Sequence, residues 1–151
     1  MSKNKYRLPF NNTWYVEYGG LTKKTSHSWD IIPQRYAYDF EIRKNNLPYH
    51  DDYKSKENYY SYNEEIICPC DGFVIDMKNE YEDTKIIEGR PVICDIDDPR
   101  GNFITIKHEN GESSTICHIK KDSFMVSIGD IVKEGEVSPW HPHPAERYGR
   151  S

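Results

Sequence analysis

The stretch "TSHSWDIIPQRYAYDF", residues 25–40, carries a histidine near its start and an aspartate near its end. An imidazole nitrogen and a carboxylate oxygen are both ordinary ligands of a catalytic zinc ion. Gln34 to Phe40 alternates large and small side chains, the pattern of a half-buried strand. On such a strand Asp39 shares a face with Arg35, Ala37 and Glu41, opposite Tyr36, Tyr38 and Phe40. His27 falls in the polar loop before it. Each residue also has a plain structural reading, a solvated loop histidine and a surface carboxylate paired with a neighbouring base.

Three further histidines invite the same question. His118, in "TICHI", shares a face with Ser114 and Ile116 if that run is a regular strand, where one hydrogen bond would satisfy it as a partly buried side chain. His141 and His143 are one residue apart, a spacing that on a strand points both side chains to one face. His50 and His108 stand in no motif and are expected at the surface.

The elements that must position these groups read as β-structure. Helical periodicity is nearly absent, while short runs rich in Ile, Val, Thr, Tyr and Phe recur between turn signals. The candidate strands are "TWYVEY", "RYAYDFEI", "EEIICP", "GFVIDM", "NFITIKH" and "STICHI". Asn110-Gly111 between the last two is a strong hairpin signal, and "PCDG" at 69–72 is a second tight turn. A further pair of short strands is expected around "GD" in "MVSIGDIVKEGE". Residues 44–63, rich in tyrosine, and 79–101, mostly acidic, read as long loops of the kind that wall a binding cleft.

Composition narrows the class. A chain of 151 residues fits one domain. We place that domain at residues 1–137, followed by a Pro/His-rich tail at 138–151 expected to be poorly ordered. The formal charge of −5 and a pI near 5.7 argue against a nucleic-acid groove. No apolar stretch approaches the roughly 18 residues that a membrane span needs. The N-terminus lacks the apolar segment of a signal peptide, so the chain as written reads as cytoplasmic. Cys68, Cys70, Cys94 and Cys117 are expected to be reduced thiols, since their spacing is not that of a zinc ribbon. "NNT" at Asn11 is a glycosylation sequon in form only.

Taken together, these segments resemble the lysostaphin/LytM-type zinc metalloendopeptidases. The resemblance runs from "TWYVEYGG" to "VKEGE" and is most specific at "SHSWDIIPQRYAYDF". One branch of that family carries a similar histidine about a dozen residues before "QRYAYDF". "IICPCDGFVIDM" is similar to the family's strand, Pro-x-Asp-Gly turn and second strand. "GNFITIKHENGESSTICHIKKDSFMVSIGDIVKEGE" is similar to its hairpin, its Tyr/Leu-Ala-His-Leu-like segment and its Gly-Asp-x-Val-x-x-Gly turn. The resemblance implies a folded antiparallel β-sheet with long loops framing a groove. It implies one zinc ion held by His27, Asp39 and His143, the second histidine of the His-x-His pair. His118 and His141 would be the catalytic histidines that orient water or stabilise the transition state. The implied substrate is a peptide, the cross-links of bacterial peptidoglycan, and the implied setting is then extracellular or the cell wall.

The chain departs from the family at its end. The glycine-rich loop before the His-x-His pair is missing, the pair arrives about ten residues early by family spacing, and Pro142 and Pro144 remove ladder donors around it. A non-enzymatic relative that binds peptide or glycan, or supports a partner, is therefore the alternative. A biotinyl- or lipoyl-carrier reading rests only on turn resemblance and on Met77-Lys78 in "DMKN", which follows "PCDG" closely and lacks a second methionine.

Overall fold

A computed structural model describes residues 4–83, 85–87, 90–92 and 97–138. The protein is mainly β, with every strand pair antiparallel. The strands are β1 (Tyr15–Tyr18), β2 (Asp39–Glu41), β3 (Ile66–Ile67), β4 (Gly72–Lys78), β5 (Lys85–Ile87), β6 (Arg90–Val92), β7 (Phe103–Lys107), β8 (Ser113–Ile116), β9 (Ile131–Val132) and β10 (Val137–Ser138). Among the described residues they do not form the single sheet expected. A four-stranded sheet in the order β8-β7-β4-β9 is accompanied by three two-stranded ribbons, β1-β2, β3-β10 and β5-β6.

The four-stranded sheet supplies the core. Val74, Ile104, Ile106 and Val132 project from one face and pack with Ile66, Cys68 and Ile119, while Trp14, Met77, Ile116, Phe124 and Val126 close around them. Regular alternation along "GFVIDMK" would put Asp76 on the same face as Val74. A bulge between Val74 and Asp76 prevents this. Val74 pairs with Ile106, the extra Ile75 is passed over, and Asp76 then pairs with Thr105 on the outer face. Met77 is thereby turned inward opposite Ile104. Gly72 lets the strands meet closely at the other end, because a Cβ there would lie 2.3 Å from the Lys107 carbonyl oxygen.

The β7–β8 hairpin holds where "NG" suggested it, closed by a single 3₁₀ turn at Glu109–Gly111 rather than by a two-residue turn. The His108 N–H donates to the Glu112 carbonyl at 2.8 Å, and Gly111 takes φ +76°. "GD" is followed by β9 but not preceded by a strand among the described residues. β9 pairs with β4 instead of folding back on its own neighbour. The run 35–42 is a strand only at Asp39–Glu41. Pro33 starts a 3₁₀ turn at Ile32–Gln34, and the Arg35 and Ala37 N–H groups donate to the Ile32 and Gln34 carbonyls, so neither residue shares a strand face with Asp39.

Both long segments are partly structured. Within 44–63, Tyr59 is buried against Tyr49 and bridges to it across the backbone. Within 79–101, β5 and β6 form a ribbon, and Asn102 ties its base by accepting from the Glu80 and Tyr81 N–H groups and donating to the Tyr81 carbonyl. No helix among the described residues is long and apolar enough to cross a membrane. Cys68 is a buried free thiol, Cys70 is a half-buried free thiol, Cys117 is half-buried, and Cys94 lies outside the described residues. Burial pushes the Cys68 and Cys70 thiols up, away from reactive thiolates.

Candidate metal-binding pair

The β1–β2 ribbon is fixed to the body by aromatic contacts. Phe10 is buried, stacked on Trp14 at 4.6 Å and set edge-on to Phe40 at 4.8 Å, and Tyr38 stacks beyond Phe40. The ladder is irregular. Tyr15 pairs with Glu41 and Val16 with Phe40, but it is Tyr18, not Glu17, that pairs with Asp39. Paired residues point to the same face, so the bulge at Glu17 places Tyr18 on the face that carries Tyr15, Asp39 and Glu41. Arg43 occupies that face too, bridging Glu17 and Glu41 with its guanidinium over the Tyr15 ring. Desolvation opposes the Arg43 charge, but the two carboxylates outweigh it and raise its pKa.

After β1 the chain reverses at once. Gly19 and Gly20 take φ of +143° and +136°, and a Cβ on Gly19 would lie 2.3 Å from the Tyr38 ring. The Gly19 N–H donates to the Thr25 carbonyl, and the Thr25 and Ser26 N–H groups donate to that of Thr22. Ser26 and Ser28 are buried on either side of His27, with the Ser28 N–H donating to Ser26 Oγ. This tight return carries His27 back over the start of β2.

The outcome is a pair. His27 Nδ1 lies 2.7 Å from Asp39 Oδ2, the side chains 39% and 41% exposed, with the Tyr18 ring edge-on to the imidazole at 5.6 Å. Two of the expected ligands, twelve residues apart in sequence, therefore stand side by side in a position that solvent reaches. One imidazole and one carboxylate fit a borderline cation such as zinc in kind. No group of three candidate ligands occurs among the described residues. His141 and His143, the expected partner and third ligand, lie outside the described residues.

His118 does not sit on a strand face with Ser114 and Ile116, as regular pairing would have it. β8 ends at Ile116, and His118 has φ +60°. The other non-glycine residues with positive φ among those described are all Asn or Asp. Its N–H donates to the Arg100 carbonyl, and its Nδ1 sits 3.3 Å from where a Cβ on Gly101 would lie. The loop beneath it is pinned by Asp98, which accepts from the Arg100 N–H and guanidinium. Those contacts with Arg100 lower the Asp98 pKa from 3.8 to about 2.

His108 also corrects the surface expectation. It is 4% exposed, with Nδ1 2.8 Å from the Asp71 carbonyl oxygen and Nε2 2.7 Å from Ser114 Oγ, and Tyr6 meets it edge-on. A carbonyl only accepts, so Nδ1 carries the proton and Nε2 accepts from the Ser114 hydroxyl. His50 remains at the surface, 48% exposed beside Asp51. Lys78 closes β4 opposite Phe103 and donates to the Tyr81 hydroxyl, which is not the hairpin-tip setting of a carrier lysine.

Two outcomes follow from the His118 loop. His118→Gly should be more stable than His118→Ala by about 1 kcal/mol, because glycine adopts the left-handed conformation freely. Urea titration of both variants measures this. Asp98 is depressed in the folded state, so its stabilising contribution is complete above about pH 4 and is lost as pH falls toward about 2. Asp98→Asn should remove that part of the acid limb, which urea midpoints collected from pH 5 to pH 2 would reveal.

No family model matches the chain, and no curated protein matches it significantly.

Proposed function

We propose that this protein is a zinc-dependent metalloendopeptidase of the LytM kind, acting on peptide bonds such as the cross-links of bacterial peptidoglycan. The observation that carries the reading is the convergence of His27 and Asp39, 2.7 Å apart and each about 40% exposed, beside the Tyr18 ring. In this reading His27, Asp39 and His143 hold the ion. Zinc, when bound, supplies a Lewis acid and lowers the pKa of its water. His118 moves a proton at the reacting centre and His141 is its partner in that role; the positive φ of His118 is the kind of local strain that collects at working sites.

A binding role without catalysis is the second reading. The observation that favours it is the exposure of Tyr15, Tyr36 and Tyr38, each about half accessible, in and around the same ribbon. Amphipathic rings of this type suit peptide and glycan surfaces.

Elemental mass spectrometry and release of new amino groups from purified peptidoglycan separate the two. The wild type should carry about one zinc per chain, and Asp39→Ala or a chain ending at Ser138 should lose it. His118→Ala should keep the zinc and lose activity by roughly 10²- to 10⁴-fold, the usual contribution of a general acid–base group. Absence of zinc from wild type supplied with the metal, with retention on peptidoglycan, would replace the enzyme reading with the binding one.

A further inference from the structure

The segment 20–36 presents large apolar side chains to water. Leu21 is 79% exposed, Ile32 76%, Tyr36 55% and Ile31 50%. The backbone holds them there. The Thr25 and Ser26 N–H groups donate to the Thr22 carbonyl, and Thr25 Oγ1 donates to the same oxygen at 3.0 Å, so Leu21 stands in a closed turn. Ile32 opens the 3₁₀ turn that Pro33 starts, and the Gln34 N–H donates to the Ile31 carbonyl. Lys23 Nζ, 3.3 Å from Asp30 Oδ1, joins the two turns. At the end of the segment the Arg35 guanidinium lies over the Trp29 ring at 5.1 Å, and Tyr36 meets that ring edge-on at 5.9 Å.

Charge narrows what such a surface fits. Lys23, Lys24 and Arg35 stand against a single acid in this stretch, Asp30, within a chain of net charge −5. The segment is locally basic in an acidic protein. A second copy docking through the same surface would bring like charges together. A bilayer with anionic headgroups suits every part of it: hydrocarbon takes the aliphatic tips, the interface takes the Trp and Tyr rings, and the phosphates take the bases. We infer that residues 20–36 form a membrane-docking loop, seating Leu21 and Ile32 in an anionic bilayer with Lys23, Lys24 and Arg35 among its phosphates. This role goes beyond the metallopeptidase reading and needs no metal. His27 lies within the loop, so docking holds the His27–Asp39 pair close to the bilayer surface.

Co-sedimentation of the full chain with lipid vesicles is the test, using equal parts phosphatidylglycerol and phosphatidylcholine against phosphatidylcholine alone. The wild type should bind the anionic vesicles, and bind roughly 10-fold more weakly to the neutral ones or in about 0.5 M NaCl. Lys23→Gln combined with Lys24→Gln should weaken binding by roughly 20-fold, at about fivefold for each base near the surface. Leu21→Ser combined with Ile32→Ser should weaken it by roughly 10-fold or more through lost apolar insertion. Both side chains are already exposed, so the circular dichroism spectrum and urea midpoint of that variant should match the wild type.

A wild type that stays in the supernatant with anionic vesicles would overturn the inference, as would equal binding to neutral ones. Binding that either double variant retains would overturn it by placing the lipid contact elsewhere on the chain. Absence of vesicle binding, with Leu21→Ser/Ile32→Ser lowering retention on purified peptidoglycan, would make the loop a wall contact instead. A concentration-dependent dimer in sedimentation velocity, lost in that variant, would assign the surface to a second copy and overturn the lipid role.

Discussion

The pairing of β4 with β7 is the constraint on which the other elements depend. Val74, Ile104 and Ile106 are at most 1% exposed, and with Ile67 and Cys68 they are the largest fully buried side chains among the described residues. β8 and β9 attach to the two edges of that pair, and Ile66 of β3 and Cys68 just after it pack on its core face. The ladder stays in register only because the bulge after Val74 removes Asp76 from the core face; an unpaired carboxylate there would be costly to bury. At the β8 end the sheet is locked by His108, whose two ring nitrogens join the Asp71 turn to Ser114. The N-terminal segment closes over that lock, with Asn4 and Tyr6 both donating to Glu112.

The candidate site is built outside this core, on a ribbon that buries little. Aromatic stacking of Phe10, Trp14, Phe40 and Tyr38 anchors the ribbon, and the opposite face carries the charged groups Asp39, Glu41 and Arg43 with the Tyr15 and Tyr18 rings. This division explains how Asp39 is held firmly while remaining accessible. Phe40 faces the body, so its neighbours in sequence face away from it. The return at Gly19-Gly20 is equally determining, since the Tyr38 ring occupies the space where a Cβ on Gly19 would stand. The bulges in β1 and β4 act alike, each turning one side chain to the face where the structure needs it.

Much of the β-structure was legible because β-branched runs such as "NFITIK" and "GFVIDMK" match strands β7 and β4. The proximity of His27 and Asp39 was legible too, from their residue types and from the resemblance of the surrounding stretch. The bulges were not, because "YVEY" satisfies two registers equally well until its partner strand is specified. His108 was misjudged for a related reason. Its local sequence, "KHENG", is polar throughout, and the groups that bury it, Tyr6 and Asp71, are far away in the chain. The "QRYAYDF" alternation looked like a strand, but Pro33 favours a 3₁₀ turn and delays extension until Asp39. Nothing local in "TICHI" announces the positive φ of His118; it follows from the docking of the chain on Arg100 and Asn102. Gly19-Gly20 and Tyr18 carried a readable signal, a tyrosine and two glycines leaving a strand, whose meaning depends on Tyr38 and Asp39.

X-ray absorption at the zinc edge of the metal-loaded protein tests the central claim most directly. The account predicts a first shell of nitrogen and oxygen only, at about 2.0–2.2 Å, with the outer-shell scattering of imidazole, and loss of that signal in the His27→Ala variant. Sulfur scatterers near 2.3 Å, surviving in His27→Ala, would place the metal on the cysteines instead and contradict it.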